Sequence, residues 1–231
     1  MTVHTRAVIF ANGDLQDRTA ARAALRPGDR LIAADGGLQH LQALGLTPDV
    51  VVGDLDSISP AQAQALDRDG LRVVRYPVRK DETDLELALR LALAEGAGEV
   101  LILGGLGGRW DQTLANLLLV AHPDFRGVNV RLLDGRQQLV LIQGRTQIEG
   151  QPGDLVSLIP LGGDATGVTT HGLEYPLENG TLRFGSTLGI SNVLLDRQAE
   201  VEVRSGWVMC IIIAAGDPSA PAAPSPETGD Q

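Results

Sequence analysis

The sequence predicts an α/β fold: a doubly wound, mainly parallel sheet in an N-terminal domain, followed by a small antiparallel β-sandwich domain. Three observations lead there. Up to about residue 137, short β-rich runs alternate with helical stretches, and that alternation builds an open parallel sheet. Beyond it helical periodicity vanishes, and strand-like runs are punctuated by Gly, Pro and Asn-Gly turns. The final stretch, "DPSAPAAPSPETGDQ" from Asp217, is too poor in large apolar side chains to fold. The expected organisation is therefore 1–137, 138–216 and a disordered tail at 217–231.

Taken in order, "RAVIF", "RLIAA", "DVVV", "RVVRY", "EVLIL" and "VRLL" read as buried strands of the first domain. The clearest helix is "TDLELALRLALAEGA", where Thr83 can cap, Glu86 three positions on completes a capping box, and Gly96 and Gly98 close the helix. A second helix is expected from about Asp111 to before Pro123. In the second half "QQLVLIQG", "DLVSLIPL", "LEYPLENGTLRFG" and "AEVEVRSGWVMCIII" are strand-like. Asn179-Gly180 signals a hairpin, and "AEVEVR" alternates with the period of a half-exposed strand.

Bulk properties exclude several function classes. The 231 residues are 43% hydrophobic, enough for one large core or two small ones. No run of 18 apolar residues exists, so no membrane span is expected, and Met1 to Arg6 lack a signal peptide's apolar region. The single cysteine, Cys210, lies in "WVMCIII" and reads as a packed core residue, as does Trp207, whose ring also suits stacking. Together these features predict a cytoplasmic protein. The net charge of −10 argues against a nucleic-acid partner, which needs a basic footprint. Solubility is the plain reading of that acidity; aspartates gathered around a metal is the sharper one. Lys80, the only lysine, reads as compositional bias.

The polar motifs of the first half share one placement. "ANGD", "ADGG", "GDLDS" and "GGLGGRWD" each follow a strand directly, and "RKDETD" follows one by a few residues. Strand carboxyl ends lie along one edge of a parallel sheet, where ligands bind, so these five segments converge on one rim. Asp54, Asp56, Asp81, Asp84 and Asp111 form the acidic part. Two carboxylates ~5 Å apart repel by roughly 3 kcal/mol at an effective dielectric of ~20. A divalent ion relieves that repulsion, and magnesium suits one or two carboxylates plus substrate phosphates. Any one of these aspartates alone is more simply a turn former or helix cap; "GDLDS" and "DETD" together favour the metal. Gly104, Gly105, Gly107 and Gly108 precede Arg109, an arrangement that lets backbone amides approach phosphate while the guanidinium offsets its charge. Neither a Walker loop nor G-x-G-x-x-G occurs, no G-x-S-x-G is present, and the four histidines lack metal-ligand spacing.

These motifs, with "ADGG", "GDLDS", "DETDLELAL" and "GGRWDQTLAN" in order and "GLEYPL" and "GISN" following, resemble the signatures of thiamine pyrophosphokinases over nearly the whole chain except the tail. The resemblance implies a catalytic α/β domain, a thiamine-binding β-sandwich and a homodimer with ATP and thiamine as substrates. It places Mg2+ on Asp54, Asp56 and Asp84. ATP and its diphosphate would meet Asp35, Asp81, Thr83, Gly107, Gly108, Arg109, Asp111 and Gln112, and thiamine would meet Ser191 and Asn192, with Trp207 close by. Gln112 stands where many bacterial members carry His, and Val193 follows Asn192 where "SNE" is common, so no proton transfer is assigned to Gln112. Three rivals differ in what they would do: a pyrophosphokinase on another alcohol such as a hydroxymethylpterin, a magnesium-dependent phosphohydrolase needing no acceptor, and a sensor without turnover.

Overall fold

A computed structural model describes residues 5–54 and 71–216. Asp56 and the expected tail lie outside the described residues. The chain divides into two compact units, Met1–Gly135 and Arg136–Gln231.

Among the described residues, the first unit has six strands: β1 (Thr5–Phe10), β2 (Arg30–Ala34), β3 (Val50–Gly53), β4 (Arg72–Arg75), β5 (Ala97–Leu103) and β6 (Asn129–Asp134). They stand in the order β6-β5-β1-β2-β3-β4, and every neighbouring pair is parallel. All six match runs read as strands from the sequence. β1 lies in the middle and its apolar residues are fully buried, which is why it reads as an unbroken apolar run. Four helices are described: α1 (Arg18–Ala23), α2 (Gly37–Ala43), α3 (Asp84–Ala94) and α4 (Trp110–Leu119). Leu38 and Leu41 of α2 share a core with Val8 and Phe10 of β1. Strand alternation turns Ala7 and Ile9 to the opposite face, and α3 packs across β1, β2, β3 and β5.

Helix α3 begins as its sequence requires. The Thr83 hydroxyl accepts from the backbone N–H of Glu86 at 3.2 Å, satisfying an orphan donor. The Glu86 carboxylate pairs forward with Arg90 at 2.8 Å. The helix stops at Ala94; Gly96 takes a positive φ of 89°, while Gly98 already lies in β5. Helix α4 starts one residue before Asp111 and ends at Leu119, and a separate 3-10 turn carries Pro123–Phe125.

Among its described residues the second unit is all β: β7 (Gln137–Glu149), β8 (Leu155–His171), β9 (Gly180–Leu182), β10 (Asn192–Val193) and β11 (Gln198–Ile213). Its order is β10-β8-β11-β7, with β9 also on β8, and all pairs are antiparallel. Register shifts interrupt β11 between Val203 and Val208, and β8 between Thr166 and Val168. Bulges bend strands, and residues from both halves of β7, β8 and β11 share one core, including Ile142, Ile148, Leu158, Val168, Val201 and Cys210. Asn179 adopts a φ of 49° at the hairpin signal before β9. In "AEVEVR" the Ala and both Val residues are buried while the charged residues face outward. Cys210 is fully buried, and that burial pushes its thiol pKa up to about 12.

Glu95, just past α3, ties that helix to two strands. It accepts from Arg30 of β2 at 2.5 Å and pairs with Arg72 of β4. Burial raises its carboxyl pKa, but the two guanidinium hydrogen bonds outweigh it and hold the group below the usual glutamate value. A depressed folded-state pKa gives stability that is full above the unfolded pKa and lost as pH falls through the folded one. Glu95→Gln is therefore expected to lower unfolding free energy at pH 7 by about 1 kcal/mol, a figure limited by partial exposure. In urea titrations the gap from the parent should close as pH falls below ~4.

Candidate active site

The strand order reverses between β1 and β5: the chain runs outward from β1 through β2, β3 and β4, then returns to β1's other side for β5 and β6. Ligands of open α/β sheets bind beyond strand carboxyl ends at such a switch point. A cleft of about 610 Å³ lies there, lined by the segments after β1 (Ala11 to Asp14), β2 (Ala34 and Asp35), β3 (Asp54) and β5 (Gly105 to Arg109), and by the approach to α3. The loops after β1 and β5 are joined: Gly13 donates to Gly104 O at 2.8 Å and Asp14 to Leu106 O at 2.6 Å.

The acidic floor is close-packed. Asp35 is buried and left-handed, with a φ of 47°, and Asn12 Nδ2 donates to its Oδ2 at 3.4 Å. Gly53 sits between two of the carboxylates. A Cβ there would lie 3.2 Å from both Asp84 Oδ1 and Asp35 Cβ, so no larger residue fits without displacing them. The Lys80 ammonium lies 2.5 Å from Asp84 Oδ1 and 3.8 Å from Asp54 Oδ2, with a half-buried stem. Burial opposes its charge, but the Asp84 hydrogen bond and the charges of Asp84, Asp54 and Asp35 hold the lysine pKa above its usual value. For Asp84, burial leads and the charges of Asp35 and Asp54 add to it, raising its pKa above the ordinary carboxylate value despite Lys80. The gathered carboxylates thus lift the lysine, whereas burial, with their charge added to it, lifts Asp84.

The glycine-rich side is held by α4. Asn116 Nδ2 donates to Gly105 O at 2.6 Å, and the Thr113 hydroxyl donates to Gly107 O at 3.1 Å while lying 3.2 Å from Gly107 N. The helix is thus inside out. Gln112, Thr113 and Asn116 line the cleft, whereas Trp110, Leu114 and Leu118 are 88%, 58% and 48% exposed along the other face. Arg109 reaches the cleft and is gripped by Asp111, Nη2 to Oδ2 being 2.5 Å, which holds Asp111 below the usual carboxylate value.

Of the residues named from sequence, Asp35, Asp54, Thr83, Asp84, Gly107, Gly108, Arg109 and Gln112 all line this cleft. Asp81 and Asp111 are exposed and lie outside its lining, Asp111 touching it only through Arg109. Among the described residues, no three His, Cys, Asp or Glu side chains stand together as a metal cluster. Sequence reasoning passed over Lys80, Asn12, Thr113 and Asn116. The placement of Lys80 four residues before Asp84 was the available signal. In the second unit, Ser191 takes a left-handed φ of 59°, Asn192 opens β10 and Trp207 is half-buried on β11 beside Leu161 of β8. No helix among the described residues is long and apolar enough to cross a membrane.

Residues 22–132 match the family model "Thiamin pyrophosphokinase, catalytic domain", and residues 145–208 match "Thiamin pyrophosphokinase, vitamin B1 binding domain". The thiamine pyrophosphokinase of Bacillus subtilis is 31% identical over 182 residues, covering 78% of this chain and 85% of that protein. Thiamine pyrophosphokinase 1 of Arabidopsis thaliana is 34% identical over 176 residues, covering 72% of this chain and 66% of that protein. The crystal structure of the Bacillus subtilis enzyme superposes with a TM-score of 0.81 at 28% identity, covering 91% of this chain and 99% of that one. The order of the two matched segments, the identity over most of the bacterial relative and the shared architecture show that this chain belongs to the thiamin pyrophosphokinase family.

Proposed function

We propose that the chain transfers a diphosphate group from ATP to the hydroxyl of thiamine, releasing AMP and thiamine diphosphate, with Mg2+ as its divalent ion. The observation that carries this reading is the meeting, at one switch-point cleft, of one buried and two partly buried carboxylates, a single ammonium and a glycine-rich loop followed by Arg109. The reaction forms a bond from the thiamine oxygen to the β-phosphorus and breaks the bond from that phosphorus to the α-phosphate bridging oxygen, while the hydroxyl loses its proton. Such transfers need positioning and charge neutralisation more than covalent help from the protein.

The donor set fits a hard cation, since Asp54 and Asp84 are hard oxygen ligands and already face a stand-in positive charge, the Lys80 ammonium. Asp54, Asp56 and Asp84 are the proposed magnesium ligands, and the bound ion would neutralise phosphate oxygens as charge moves to the leaving group. The remaining work falls to the chain's own groups. Gly107, Gly108 and Arg109 line the cleft where phosphates would lie, and Asp111 pairs with the Arg109 guanidinium. Asp35, Thr83 and Gln112 complete the proposed nucleotide side, and Asp81 stands at its exposed rim. Ser191, Asn192 and Trp207 belong to the proposed thiamine end.

We also propose a homodimer. The support is α4, which turns three large apolar side chains to water along one face, a surface that a second copy would cover.

Four outcomes are expected. Pure protein given ATP, Mg2+ and thiamine should yield AMP and thiamine diphosphate, and Asp54→Asn should lose at least a hundredfold in kcat with its melting temperature kept; near-parent turnover removes Asp54 from the site. Lys80→Met should bind Mn2+ more tightly than the parent in the absence of nucleotide, read by electron paramagnetic resonance, because a competing ammonium has gone. Trp110→Glu combined with Leu114→Glu should move the light-scattering mass from two copies to one.

A further inference from the structure

The loop after β1 is held on both sides of one residue. Gly13 N–H donates to Gly104 O at 2.8 Å, which ties the loop to the glycine-rich segment after β5. The Gly13 carbonyl oxygen is met by His40 of α2, whose Nε2 lies 2.8 Å from it. A carbonyl oxygen only accepts, so Nε2 carries the proton and donates. Both backbone polar groups of Gly13 are thus engaged, one by each neighbouring element. No side chain fits there: a Cβ on Gly13 would lie 2.1 Å from Leu106 O and 2.5 Å from Gly104 O.

His40 is placed for this contact by the start of its helix. A Cβ on Gly37 would lie 1.8 Å from Phe10 O, so α2 begins pressed against the carboxyl end of β1. His40 stands three residues after Gly37 and shares its helix face, beside Leu41 in the core that α2 forms with β1. The half-buried imidazole also lies close to the β5 side: a Cβ on Gly104 would be 3.3 Å from Cδ2 and 3.4 Å from Nε2. One ring therefore stands where the two loops meet. It does not line the cleft itself, whereas Ala11 to Asp14 and Gly105 to Arg109 do.

We propose that His40 is a positioning residue for the nucleotide: by holding Gly13 it fixes the β1 loop against the glycine-rich loop, and so sets the opening in which the phosphates of ATP lie. This rests on the reading that the cleft takes ATP. The side chain acts through one N–H aimed at backbone, and it exchanges no proton with substrate. Sequence alone gives it no role, since the four histidines lack metal-ligand spacing. What the position requires is a donor at the reach of Nε2, which an imidazole supplies on a short, stiff stem and a glutamine amide supplies at similar reach.

The test uses the full chain. His40→Phe and His40→Leu both remove the donor and differ in bulk, so if one does not fold the other still reports. His40→Gln keeps a donor. ATP and thiamine affinities are measured by calorimetry, and initial rates are measured with each substrate varied separately. The Phe and Leu variants should raise the ATP Kd and KM about tenfold, with kcat and the thiamine KM unchanged, and the Gln variant should stay with the parent. Hydrogen exchange read by mass spectrometry needs no substrate: residues 11–14 should exchange faster in the Phe and Leu variants and at the parent rate in the Gln variant. The proposal is overturned if ATP affinity survives loss of the donor, if exchange at 11–14 is unmoved, or if the Gln variant falls with the other two. It is equally overturned if ATP and thiamine affinities decline together, as a general loosening of the fold would require. A parent chain that binds ATP but forms no AMP with thiamine would defeat the proposed reaction and leave the role of His40 to be decided by ATP affinity and exchange.

Discussion

The first unit depends on how buried negative charge is tolerated at the carboxyl ends of its strands. Asp35 and Asp84 approach Gly53, Asp54 follows it in the chain, and the Lys80 ammonium lies within reach of Asp84 and Asp54. Charges taken out of water are costly unless matched, and Lys80 is one match for them. The sheet topology then sets where it acts, because the same edge carries the β1 and β5 loops that face it across the cleft. Fold and chemistry are linked here through strand order: without the reversal between β1 and β5, the acidic floor and the glycine-rich loop would have no shared space.

Much of this was legible from the residues, for physical reasons that differ by element. Strands buried on both faces write continuous apolar runs, so β1, β3 and β5 could be read directly, whereas the edge strand β4 is only half-buried and shows itself by its paired valines. The α3 start was legible because Thr83 and Glu86 sit at capping spacing. Helices α1 and α2, of six and seven residues, are too short for a helical period to establish itself. Strand β8 was read only to Leu161, yet it continues to His171 through Gly162, Gly163 and Gly167, all with positive φ, where turn-forming residues accommodate bulges inside a long strand.

The site was legible in its members but not in its partnerships. Aspartates following strands could be assigned to one rim, and those that the structure describes at Asp35, Asp54 and Asp84 line one cleft. The identity of the cation among them was not apparent, because a lone lysine looks like composition until its neighbours are known. Helix α4 was legible as a helix from about Asp111, but its facing was not: the glycine-rich loop takes its polar side through Thr113 and Asn116. Side chains that hold backbone, such as Asn192 on Tyr175, are equally invisible in a motif, which records residue types and not what each one grips.

The burial of Cys210 has a practical side. The sequence holds one sulfhydryl, and it is sealed in the second unit's core with its ionisation pushed far above neutral pH. Thiolate is the nucleophile, so alkylating dyes and spin labels will pass this chain by while it stays folded. A cysteine introduced at any exposed position would thus become the sole point of attachment. Probes of loop movement can be installed one at a time, without first engineering away a native background.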